Sequence, residues 1–105
     1  MTKFGVKKEI EKIIASLKAY KPEKIILFGS VAYGRLTKDS DLDLLIIKKT
    51  RKNPWERTLE ADAYLDHDIA IDILVYTPQE IKKRLKMDDF FIREIMQKGK
   101  LIYAK

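Results

Sequence analysis

Near the start of the chain, apolar residues recur at helical spacing (Val6, Ile10, Ile13, Ile14, Leu17), with Lys and Glu filling the other positions. This predicts an amphipathic helix that ends near Tyr20, because Pro22 cannot continue it. The pattern then changes. Ile25-Ile26-Leu27-Phe28 is an unbroken apolar run closed by Gly29, and Leu42 to Ile47 is a second, interrupted only by Asp43. Short runs apolar on both faces predict buried strands. A third strand is expected from about Ile69 to Tyr76, apolar except for Asp72. Asn53 as cap, Pro54 in the first helical position and Glu56 in the first turn predict a helix between the second and third strands. Thr77-Pro78-Gln79-Glu80 has the spacing of a capping box and opens a short helix through Ile81 and Leu85. Asp88 is expected to cap a further helix carrying Phe91, Ile92, Ile95 and Met96, ended by Gly99. Leu101-Ile102-Tyr103 completes the series as a short edge strand. Trp55, Leu59 and Tyr64 read as packing residues, whereas Phe90 and Phe91, being adjacent, cannot both face the core, so one marks a partner surface. Alternating strands and helices predict an α/β (α+β) fold, a small mixed β-sheet flanked by helices.

At 105 residues, with no repeat or Gly/Ser linker, the sequence is expected to form a single domain over residues 1–105. It contains no apolar stretch approaching the roughly eighteen residues of a membrane span. The N-terminal segment lacks the apolar core of a signal peptide. The absence of cysteine excludes disulfide frameworks, zinc ribbons and thiol nucleophiles. A cytoplasmic protein is the simplest expectation. The net charge of +6 is unevenly placed: residues 1–53 carry 13 Lys/Arg against 6 Asp/Glu, and the remainder 9 against 10. An anionic ligand is therefore expected at the first half. Charged residues make up 36% of the chain, with one asparagine and two glutamines, a composition similar to that of thermophile proteins.

The chemistry concentrates in Gly29-Ser30-Val31-Ala32-Tyr33-Gly34, six further residues, and Asp41-Leu42-Asp43-Leu44. Asp41 and Asp43 are two apart at a strand start, so their side chains share a face. Such a pair repels itself, raises one pKa and suits a hard divalent cation. Taken alone, it is better explained by a polar turn or by chance. Asp72 adds weight, because a carboxylate inside an apolar strand costs several kcal/mol unless it is paired or metal-bound. Its alternatives are an ion pair with Arg or Lys, or a strand end closer to solvent. If the second and third strands are neighbours, the three carboxylates converge as a two-metal site for in-line displacement at phosphorus. Gly29 lets backbone N–H groups approach phosphate oxygens, and Ser30 adds a hydroxyl. The spacing Gly29-x4-Gly34 is not a P-loop, since Arg35-Leu36 stands where Lys-Ser/Thr is required and a strand, not a helix, follows.

Gly29-Ser30, Gly34, Ser40-Asp41-Leu42-Asp43-Leu44 and a later Asp72 in an apolar strand together resemble the minimal nucleotidyltransferases (MNT domains), the smallest branch of the superfamily that includes DNA polymerase β. The resemblance implies that Asp41, Asp43 and Asp72 ligate Mg²⁺ in a two-metal site, with Asp72 also helping to deprotonate an acceptor hydroxyl. It implies that Gly29 and Ser30 bind the terminal phosphates of a nucleoside triphosphate, ATP as donor, with Gly34, Arg35 and Ser40 also on the nucleotide. The family form often has Arg just before the second glycine, where this chain has Tyr33, and Arg35 is the candidate for that charge. The activity implied is transfer of a nucleoside monophosphate, often AMP, to a hydroxyl with release of pyrophosphate. The partner implied is a HEPN-domain toxin, with this chain as the antitoxin of a type VII-like toxin–antitoxin pair; the chain has no helical domain to hold an acceptor itself.

Two rival functions are weighed against this: a non-catalytic antitoxin acting by contact alone, and a nucleic-acid binder using Lys48-Lys49-Thr50-Arg51-Lys52. The second is disfavoured because no aromatics are interleaved with the charges, so that run reads better as a solvated loop. Asp66-His67-Asp68 reads as a solvated turn rather than a metal cluster, since no second His or Cys stands at ligand spacing.

Overall fold

The structure, a computed structural model, describes residues 3–34, 41–65 and 70–105. Helix α1 (Lys3–Leu17) closes in a 3-10 turn, Lys18–Tyr20, and is followed by strand β1 (Lys24–Phe28). A single helical turn, α2 (Gly29–Ala32), precedes β2 (Leu42–Ile47), α3 (Pro54–Ala63) and β3 (Ile71–Tyr76). Helices α4 (Pro78–Lys86) and α5 (Phe90–Lys98) and strand β4 (Lys100–Ala104) follow. The strands form one sheet in the order β3-β2-β1-β4. β1 is antiparallel to both β2 and β4, and β2 is parallel to β3, so the sheet is mixed as expected. The parallel pair requires a crossover, which α3 supplies.

β1 and β2 are apolar on both faces because both faces are covered. On one face Ile25, Leu27, Leu42, Leu44 and Ile46 pack with Val6, Ile13 and Leu17 of α1 and Ala61 of α3. On the other, Ile26, Leu45 and Ile47 meet Ile81 of α4 and Ile92 and Ile95 of α5. Among the described residues no helix is long and apolar enough to cross a membrane.

The caps follow the sequence with one correction. The Asn53 side chain accepts from Glu56 N–H at 2.9 Å, and Thr77 and Glu80 form both halves of a capping box. At α5 the cap is Asp89, which accepts from Ile92 N–H at 3.2 Å, and not Asp88. Asp88 instead takes a left-handed conformation (φ 57°) in the turn that reverses the chain between α4 and α5. Gly99 does end α5, but in extended conformation; a Cβ there would lie 2.5 Å from Ile95 O and 2.6 Å from Ile26 Cγ2, so the helix's own last turn and the sheet together require glycine.

Helix α3 departs most from expectation. Trp55 and Leu59 are 72% and 53% exposed, and Tyr64 packs only partly, its ring 5.5 Å from that of Tyr20. The inward stripe is Arg57 and Ala61. Buried Arg57 donates to Lys52 O (2.7 Å), Val75 O (3.4 Å) and Glu80 Oε1 (2.7 Å), tying α3 to the end of β3 and the start of α4. Phe90 and Phe91 are both exposed, not one of them. The Lys48–Lys52 run is largely engaged within the molecule: Lys48 Nζ lies over the Tyr20 ring and donates to Tyr20 O, and Lys52 pairs with Glu60 at 2.7 Å.

Glu80 serves two partners, and this gives a stability prediction. Partial burial by itself would raise its pKa, but hydrogen bonds from Arg57 and from Thr77 outweigh that and hold it below the usual glutamate range. Its contribution is therefore complete above the ordinary glutamate pKa and is lost as pH falls through the lowered folded value. Glu80→Ala is expected to cost about 1–2 kcal/mol at pH 7, discounted because the side chain is 41% exposed, and to flatten the acid limb of a urea-denaturation series.

Candidate functional site

Topology brings three separate segments to one end of the sheet. β1 runs against β2 while β3 runs with it, so the C-terminal end of β1 meets the starts of β2 and β3. Phe28 stands opposite Asp43, and Asp43 stands opposite Asp72. Strand alternation places Asp43 in the row of Leu45 and Ile47, and Asp72 in the row of Leu74 and Tyr76. Those rows face α4 and α5, so both carboxylates emerge on that face, beyond the end of the apolar cluster. Asp41, exposed one residue ahead of β2, adds its charge to the same group.

Partial burial pushes the Asp43 carboxyl above the usual aspartate range, and the neighbouring Asp72 charge, a hydrogen bond shared with the Asp72 carboxyl and the Asp41 charge push it further. Carboxylates crowded in this way repel one another, and a hard cation bound between them relieves that repulsion. Among the described residues no three His, Cys, Asp or Glu side chains stand in an arrangement that would itself hold a metal ion. The donor chemistry nevertheless fits a divalent cation: the oxygens are all hard, and they crowd until a positive charge is needed to relieve them.

Asp72 differs from expectation in its surroundings. It is exposed, because β3 is an edge strand of which only Val75 is fully buried. The burial cost expected at Asp72 is therefore absent, because its side chain lies closer to solvent than its apolar neighbours suggest. Its proximity to Asp43 comes from the parallel register of β2 and β3.

Gly29 is held in place by the same carboxylate. Its φ of +78° lies in the left-handed region, and a Cβ built on it would stand 3.0 Å from Asp43 Cγ and collide with Oδ2. The backbone at Gly29 therefore rests directly against Asp43, with the exposed Ser30 next in α2. Gly34, at the end of that turn, also has positive φ (+80°), but nothing lies within 4 Å of where its Cβ would be. It lines a different hollow, of about 560 Å³, with Val6, Ile10 and Ile14 of α1 and Ile102 of β4; none of the three carboxylates borders it. The structure thus gathers Gly29, Ser30, Asp41, Asp43 and Asp72 and leaves Gly34 apart. Arg35, Ser40 and the Asp66-His67-Asp68 segment lie outside the described residues.

One neighbour of the group was not anticipated. Phe28 shares Asp43's face, and its ring meets that of Phe91 edge-on, centroids 5.8 Å apart. The available signal was its position immediately before Gly29, in register with Asp43.

Comparison with known proteins bears on the family and the fold. A family model described as "Polymerase beta, Nucleotidyltransferase" matches residues 11–105. Two proteins of Methanocaldococcus jannaschii, each bearing the name "Putative protein adenylyltransferase", are similar in sequence. One is 35% identical over 96 residues, covering 88% of this chain and 90% of the relative. The other is 28% identical over 99 residues, covering 91% and 96%. Two solved structures share the fold at 20% identity. A chain from Sulfolobus solfataricus described as a "putative nucleotidyltransferase" aligns with TM-score 0.65, over 100% of this chain and 91% of its own. A chain from a crystal structure of a toxin–antitoxin with AMP-PNP aligns with TM-score 0.60, over 91% and 73%.

Proposed function

The chain belongs to the polymerase beta nucleotidyltransferase family, and from that premise we propose that it transfers AMP from ATP to a hydroxyl on a partner protein, as the antitoxin of a pair with a HEPN-domain toxin. The observation that carries the chemistry is the Asp43–Asp72 pairing across parallel strands, with Gly29 lying against Asp43. The names of the archaeal relatives support a protein as acceptor, and the toxin–antitoxin neighbour supports a toxin as the partner.

In this reading the Gly29-Ser30 backbone N–H groups and the Ser30 hydroxyl hold the β- and γ-phosphates, placing the α-phosphorus over the carboxylates. Asp41, Asp43 and Asp72 are the residues that would hold Mg²⁺, which when bound supplies Lewis-acid polarisation of the phosphoryl oxygens. Asp72, the most open of the strand carboxylates, takes the proton of the acceptor hydroxyl. The acceptor oxygen bonds to the α-phosphorus, the bond to the β-phosphate oxygen breaks, and pyrophosphate leaves in line. The acceptor arrives on a separate chain, so the carboxylate edge must face solvent, as it does at Asp41 and Asp72.

Incubation with α-labelled ATP and the co-purified partner tests this. Label is expected on the partner, lost on adding EDTA and restored by Mg²⁺, and mass spectrometry is expected to find one or more added AMP groups on a side-chain hydroxyl. A partner neutralised with no added mass would overturn transfer in favour of inhibition by contact alone.

A further inference from the structure

Resting on the nucleotide-transfer reading above, we propose that Phe91, braced by Phe28, is the platform on which the nucleobase of the donor stacks. Phe28 is directly opposite Asp43, and side chains so paired share a face with Cβ atoms about 5 Å apart. The Phe28 ring therefore borders the carboxylate group, and Phe91 stands against it at an interplanar angle of 84°. Phe91 nevertheless remains 50% exposed. Half of a large apolar side chain is thus left in water beside a site whose other groups, three carboxylates and a Gly-Ser turn, suit only ions and phosphates. A nucleotide carries both complements in one molecule, a polyphosphate for the turn and a flat aromatic ring for the shelf. The chain order agrees, because Phe28, which braces Phe91, leads directly into Gly29 and Ser30, so the shelf and the phosphate turn are built from the same strand end. The Phe28 contact holds the Phe91 ring in one orientation, and such preorganisation lowers the ordering cost of stacking.

Calorimetric titration of the full chain in Mg²⁺ with ATP and, separately, with inorganic tripolyphosphate tests the assignment. Phe91→Ala is expected to weaken ATP binding about tenfold or more while leaving tripolyphosphate within twofold, and Phe91→Trp is expected to keep ATP affinity. Being half exposed, Phe91 can be truncated without a large packing loss, and circular dichroism of the variant controls for folding. Equal weakening of both probes, or unchanged ATP affinity with loss of partner capture, overturns the stacking role; the second outcome makes the shelf a protein contact. If the wild-type chain binds neither probe, the nucleotide-transfer reading falls with it, whereas tripolyphosphate binding with an unaltered ATP profile in Phe91→Ala removes the platform alone.

Discussion

Asp43→Asn is expected to reduce nucleotidyl transfer by at least about a thousandfold while leaving the metal-free fold as stable as wild type or more so. On the proposed mechanism, the loss follows from removing a charged group that would hold the metal at the reacting phosphorus, where metal-assisted stabilisation is worth several kcal/mol. The stability result follows from crowding. Burial, Asp72 and Asp41 all disfavour the ionised Asp43 carboxylate, so the folded chain holds a proton there more readily than the unfolded chain does. That preference stabilises the fold at acid pH and is lost as pH rises through the raised folded value. At pH 7 the ionised group is a source of repulsion, and a neutral amide of the same shape relieves it. With EDTA present, the melting temperature of Asp43→Asn is expected to equal or exceed that of wild type by a few degrees. With Mg²⁺ and a non-hydrolysable ATP analogue the order should reverse, because ligand binding stabilises only a chain that binds it. A variant less stable than wild type under both conditions would mean that Asp43 is a structural residue and the carboxylate edge is not a cation site.

That pairing of instability with function explains which parts of the molecule could be read from sequence. β2 was legible to the residue, because Leu42–Ile47 is apolar on both faces and central strands are the ones buried twice. Caps at Asn53 and Thr77 were legible because they rest on contacts three residues apart. Asp41 and Asp43 were visible as a pair, but nothing local shows that β3 lies parallel beside β2 with Asp72 in register with Asp43. The apolar letters around Asp72 suggested burial, whereas an edge strand carries the same letters with one side open. Helix α3 misled for a related reason. Its large apolar residues, Trp55 and Leu59, point outward, while the core-facing stripe holds an arginine. Arg57 is tolerated there because the carbonyls of Lys52 and Val75 and the Glu80 carboxylate lie within reach. Those partners are 5, 18 and 23 residues away in sequence, so only the assembled fold identifies them.

Gly29→Ala should damage both transfer and stability, and it separates two causes that act at one atom. The first is conformational: φ is +78°, a region that costs an L-residue roughly 1–2 kcal/mol. The second is steric, since the new Cβ would stand 3.0 Å from Asp43 Cγ, with Oδ2 closer still. Relief requires either the carboxylate or the α2 turn to move, and either motion separates the Gly29 backbone, the proposed phosphate cradle, from the carboxylates. Because small misplacements of reacting groups are costly, transfer is expected to fall at least about a hundredfold. Stability is expected to fall by about 2–3 kcal/mol, the sum of strain and overpacking. A double-mutant cycle with Asp43→Ala resolves the two. That substitution removes Oδ2 and Cγ, leaving Asp43 Cβ at 3.3 Å from the added methyl, a contact a slight adjustment accommodates. The double variant should therefore recover the steric part in urea denaturation, on the order of 1 kcal/mol, and retain the conformational part. Strict additivity would show that Gly29 is required for its backbone angle alone and that its contact with Asp43 is incidental. Positive coupling would show that glycine is needed because the Asp43 carboxylate occupies the space a side chain would fill.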